Sequence, residues 1–84
     1  MKALYYSPFT GCVRVELIAK RDIGLSLCPI IRLVCRIAEK DHPIYRLGEH
    51  IDVMPQDVFL HLRHSAKGFI ILSGKPDWQS LPLA

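Results

Sequence analysis

Apolar and polar residues alternate most clearly in two stretches of the chain, residues 12–19 and 30–38. In the second, Ile31, Leu33, Cys35 and Ile37 fall on one face of an extended chain and Arg32, Val34, Arg36 and Ala38 on the other, which is the period of a half-buried strand. In the first, Val13, Val15 and Leu17 lie on one side and Arg14 and Glu16 on the other. Glu16, Leu17, Ala19 and Lys20 also favour helix, so residues 13–21 have a competing helical reading. The β-branched alternation decides for strand.

Residues 3–6 form a short apolar and aromatic run that predicts an opening strand. Ser7-Pro8, followed by Phe9, Thr10 and Gly11, predicts a turn that closes a hairpin with the strand after it. Residues 22–29 contain Gly24, Ser26 and Pro29 and read as a loop, and the charged run from Glu39 to Pro43 reads as a turn. Residues 44–47 and 50–53 predict two short strands joined at Gly48 by a bulge or tight bend.

Beyond Met54 the pattern changes. Pro55 suits a first helical turn, Asp57 follows where the helix dipole favours a negative charge, and Val58, Phe59, Leu62 and Ala66 fall at helical spacing. A helix is therefore predicted near residues 55–67, stopped by Gly68. The apolar run 69–72, bounded by Gly68 and Ser73-Gly74, predicts a buried strand; Trp78 is expected to dock on the body and residues 81–84 to fray. These elements sum to an α+β fold in which residues 1–84 make a single compact domain. Its sheet is small, antiparallel or mixed or a partly open barrel, with about five strands and one helix.

The unit Tyr45-Arg46-Leu47-Gly48-Glu49 with Ile51 and Val53, followed by the predicted helix, resembles short bacteriophage proteins with a Y-x-x-G-E, strand, helix unit. It covers about a quarter of the chain and transfers no residue roles.

At 84 residues the chain has a small core, because a domain of this size buries only a little over about 60% of the surface its unfolded form exposes. Half hydrophobic and 23% charged is globular composition and argues against a disordered segment. The net charge of +3 favours acidic partners but falls short of a dedicated nucleic-acid binder. Three cysteines cannot all pair in one chain, and Lys2 is followed by no uninterrupted apolar run of a signal peptide, so reduced thiols and a cytoplasmic location are expected. The longest apolar run, 23–35, is broken by Gly24, Ser26, Pro29 and Arg32 and falls short of the roughly 20 residues that span a bilayer, so no membrane association is expected.

Cys12, Cys28, Cys35, His42, His50, His61 and His64 are possible metal ligands, but they lack the close pairing of structural zinc sites. His61 and His64 lie three apart on the predicted helix with no third ligand marked. No cysteine has an evident electropositive setting, paired carboxylates and a Ser-His-Asp order are unmarked, and Gly74-Lys75 lacks the rest of a phosphate loop. Neither an enzyme nor a cofactor is expected.

Two binding classes remain. Arg14, Arg32 and Arg36 share polar strand faces, Lys20, Arg21 and Arg46 extend the patch, and Tyr5, Tyr6 or Tyr45 lie near enough in sequence to stack bases beside a phosphate backbone. Glu16, Glu39 and Asp41 neutralise part of that patch, and exposed arginines are ordinary sheet surface. Tyr45, Trp78, Phe9 and the arginines are the residue types enriched at protein interface hot spots. The expectation is a non-enzymatic small binding protein, monomer or homodimer, acting as a stoichiometric inhibitor or adaptor on a larger protein or nucleoprotein complex. Arg14, Arg32, Arg36 and Arg46 would steer association, and Tyr45 or Trp78 would anchor it. Phage and mobile-element inhibitors, anti-CRISPR proteins among them, are of this size. The alternative is a small β-rich nucleic-acid-binding domain using the same basic face.

Overall fold

The two alternating stretches become the long paired strands at the middle of an open antiparallel sheet. The computed structural model describes residues 1–24 and 27–84. Strand β1 (Lys2–Ser7) turns tightly into β2 (Gly11–Asp22), and β3 (Ile31–Ile37) returns along β2. Strand β4 (His50–Val53) then pairs with β3, and the two-residue β5 (Val58–Phe59) pairs with β1, giving a five-stranded sheet in the order β4-β3-β2-β1-β5. Strands β6 (His61–His64) and β7 (Ile70–Ser73) form a separate two-stranded ribbon.

Register aligns the apolar positions across the sheet. Ala3 faces Val15, which faces Ile37; Leu17 faces Cys35, which faces Ile51; and Tyr5 faces both Val13 and Val58. Direct opposition puts these side chains on one face, and that face is the core: Val13, Leu33, Cys35 and Val58 have no exposed surface. Between Leu17 and Ala19 the register slips at Ile18, a bulge after which Lys20 rather than Ala19 opposes Leu33.

Loops and the tail cover the core face. Tyr45, Trp78 and Leu81 pack against the buried cluster, and Pro76 is buried beside the 3-10 turn Trp78–Ser80. Residues 81–84, expected to fray, are pinned instead. The Lys20 N–H donates to Pro82 O at 2.8 Å and the Ala84 N–H to Lys20 O at 2.8 Å, a parallel bridge to the end of β2. Side-chain pattern does not encode such a contact, because backbone groups make it.

The predicted helix over 55–67 is absent, and with it the α+β class: among the described residues the chain is a 5+2-stranded antiparallel structure with only two short 3-10 turns. In place of the helix stand a 3-10 turn (Pro55–Asp57), β5, β6 and a hairpin turn. Met54, at the turn's N-cap, offers no side-chain hydrogen bond, so a longer helix would start uncapped. Val58, Leu60 and Leu62 satisfy period two as well as helical spacing, and pairing of Val58 with Tyr5 buries Val58 completely. Residues 44–47 are loop rather than strand. The run 69–72 yields a strand, but Phe69 and Ile70 are exposed, because nothing in the described chain covers the ribbon.

Candidate interaction face

The polar positions of the same alternation build the outer face of the sheet. Direct pairing sets Lys2, Glu16, Arg36 and His50 in one row across β1, β2, β3 and β4. A second row sets Arg14 opposite Leu4 and Leu4 opposite Phe59. Toward the far end Arg21 opposes Arg32, and its Nη1 reaches Asp52 Oδ2 on β4 at 2.9 Å.

Charges on this face are unequally compensated. Arg14 Nε lies 3.8 Å from Glu39 Oε1, and the Arg14 N–H donates to the same oxygen at 3.2 Å. The Met1 ammonium donates to Glu16 Oε1 at 2.7 Å, and this bond, with the Arg36 and Lys2 charges, holds the Glu16 carboxyl below the usual carboxylate range. Among the described residues Arg32 and Arg36 have no carboxylate within 4.0 Å; Arg36 stands opposite Glu16, whose carboxyl feels its charge, while Arg32 stands opposite Arg21.

Beside the arginines the outer face becomes apolar. Lys2, Leu4, Arg14, Glu16 and Leu60 line a depression of about 430 Å³. On the far side of Leu4, Tyr6 and Phe59 on the sheet and Phe69, Ile70 and Leu72 on the ribbon line a groove of about 640 Å³. Leu4 links the two, facing Arg14 on one side and Phe59 on the other. Lys75 Nζ sits 4.0 Å from the Phe59 ring centre and donates to Gln56 O at 2.8 Å, which fixes that wall of the groove. Phe69, at 66% exposure, is the most exposed of the large apolar side chains lining the groove.

The structure brings Arg14, Arg32 and Arg36 onto one face, as the alternation implied. Arg46 lies in the exposed loop between β3 and β4, its N–H bonded to Glu49 Oε1. Tyr45 and Trp78 pack on the core side of the sheet, opposite the arginines; Tyr45 also lies with its ring 5.4 Å from that of His42. Arg14 is the arginine nearest the apolar groove, opposite Leu4, which is in turn opposite Phe59; Tyr6, Phe59, Phe69, Ile70 and Leu72 line that groove, and Arg32 lies toward the other end of the sheet, opposite Arg21. Phe69–Leu72 was legible as an apolar run, but its exposure follows only from the ribbon standing apart from the sheet.

His61 and His64 lie on strand β6, where residues three apart point to opposite sides, and no group of three or more ligating side chains occurs among the described residues. Burial pushes the Cys35 thiol up to about 12, and burial followed by the Glu39 charge raises that of Cys12, the reverse of what activates a nucleophile. Among the described residues no helix is long and apolar enough to cross a membrane. No family model, no curated protein and no solved structure matches the chain.

Proposed function

We infer that the chain is a non-enzymatic binding protein that docks an acidic-rimmed protein surface on the outer face of its sheet, acting by occupancy as a stoichiometric inhibitor or adaptor. The observation that carries this reading is the Tyr6–Phe59–Phe69 groove joined through Leu4 to Arg14, with Arg36 and then Arg32 farther along the same sheet face. An apolar pocket for an anchor flanked by steering charge is the arrangement of a protein interface, where buried contacts supply affinity and rim charges supply association rate.

The same face suits a nucleic-acid backbone less well. Glu16, Glu39 and Asp52 stand within the arginine rows and repel phosphates, while Tyr5 and Tyr45 pack toward the core instead of among the cations. Stacking platforms for bases lie at only one end of the face.

The test is affinity capture with the intact chain from a lysate of its native cell, divided into nuclease-treated and untreated halves. A protein recovered in equal amounts from both halves, and lost with Phe69→Ala or with Arg32→Glu/Arg36→Glu, supports the reading. Nucleic acid recovered alone, and lost on treatment, overturns it.

A further inference from the structure

The β6–β7 ribbon is an exposed two-stranded element, and such ribbons are marginal unless a further strand or layer joins them. Its hairpin turn fixes which way the backbone groups of β7 point. Ser65 N–H donates to Phe69 O at 2.8 Å and Gly68 N–H to Ser65 O at 3.0 Å, with Gly68 at φ +86°. Residues 65 and 69 are thus a bonded position. Antiparallel pairing alternates, and the register sets His64 against Ile70 and Arg63 against Ile71. Arg63–Ile71 is then the next bonded pair, and the N–H and C=O groups of Ile70 and Leu72 point away from β6. No backbone hydrogen bond reaches the Ile70 or Leu72 amide from any other described segment.

This edge lacks the usual protections. Proteins blunt free edges with lysine, proline, bulges or inward charges, whereas Phe69-Ile70-Ile71-Leu72-Ser73 has no charge, proline or glycine. Of the other four-residue free edges, β4 carries His50 and Asp52 and runs into Pro55, and β6 carries His61, Arg63 and His64. A strand with no charge opposes itself without electrostatic penalty, so antiparallel self-pairing of β7 is allowed in any register that keeps Ile70 and Leu72 bonded. Leu60, Leu62, Phe69 and Ile70 together expose on the order of 400 Å² per copy, so two ribbons have at most about 800 Å² of this surface to bury, below the roughly 1,000 Å² of a stable interface, and the pairing is a weak, concentration-dependent one.

We propose that the chain associates with a second copy of itself through antiparallel pairing of β7 edges, joining two ribbons into one four-stranded sheet. The pairing uses backbone at the ribbon's free edge and covers part of the groove wall formed by Phe69, Ile70 and Leu72, whereas the arginine rows lie on the five-stranded sheet and stay open. This inference does not depend on the binding reading above.

The test is sedimentation velocity together with residue-resolved amide exchange on the full chain across a wide concentration series. A particle of twice the chain mass is expected at high concentration, with exchange at Ile70 and Leu72 slowed about tenfold or more relative to the dilute chain and Ile71 protected throughout. Leu72→Pro removes an outward N–H without touching the Ile71 bonds, and Leu72→Lys adds edge charge; each is expected to return the chain to monomer. A monomer at every concentration overturns the proposal. So does a dimer that survives both substitutions, or one in which Ile70 and Leu72 exchange as fast as in the monomer.

Discussion

Ala66→Pro separates the observed hairpin from a helix by the sign of its effect. In a helix over 55–67, residue 66 would sit in the last turn, and proline there would remove a hydrogen bond and clash with the preceding turn, costing about 3 kcal/mol. In the structure Ser65 accepts from the Gly68 N–H at 3.0 Å, and positive φ is confined to Gly68 in this turn. Ala66 and Lys67 are therefore the two central residues of a type I turn, with Gly68 completing a bulged hairpin. Proline is favoured at the first central position, and the Ala66 amide makes no backbone bond there. Ser65, before it, directly follows β6 and donates its N–H to Phe69 O, an extended position of the kind a residue preceding proline prefers. Stiffening the unfolded chain should then stabilise the protein by up to about 1 kcal/mol. For a domain of this size that is a rise of roughly 4–8 °C in melting temperature at most. The assay is urea unfolding of wild type and variant, compared at equal slope. A loss near 3 kcal/mol would refute the hairpin and reinstate the helix.

Four further outcomes follow from burial and charge. Leu33→Ala empties a fully buried site facing Val53 and should cost about 2–5 kcal/mol in the same urea assay. Native protein at pH 8 should expose Cys28 to a thiol reagent, react slowly at Cys12 and leave Cys35 untouched until unfolding. Because the folded Cys35 thiol lies above its unfolded value, its contribution is complete below about pH 9 and fades as pH rises toward 12. Cys35→Ala should flatten part of that alkaline loss of stability. With the captured partner in hand, Arg32→Glu/Arg36→Glu should slow association and reduce its salt dependence by stopped-flow, leaving dissociation nearly unchanged; unaltered association would remove this face as the site.

The parts of the fold legible in the sequence were those where one face alone is buried. Val13, Val15 and Leu17, and Ile31, Leu33, Cys35 and Ile37, alternate because β2 and β3 have a core side and a solvent side, and the arginines between them mark the outer face. The region from Pro55 to Lys67 was misread because its apolar residues fit both periods. Only the long-range pairing of Val58 with Tyr5 selects strand, and no local window contains it. Phe69–Leu72 looked buried because an apolar run ordinarily has a second layer, which the described chain does not supply. Trp78 docks on the body as its residue type implied, and Tyr45 packs beside the core with it, because a small sheet without a helix covers its core with such side chains.

The measurement that bears most directly on the interaction face is quantitative capture from nuclease-treated lysate with three baits: wild type, Phe69→Ala and Arg32→Glu/Arg36→Glu. Each variant is first shown to melt as wild type does. One protein retained stoichiometrically by wild type and depleted on both variants is the predicted result. Equal recovery on all three baits would contradict it and place the binding surface elsewhere on the molecule.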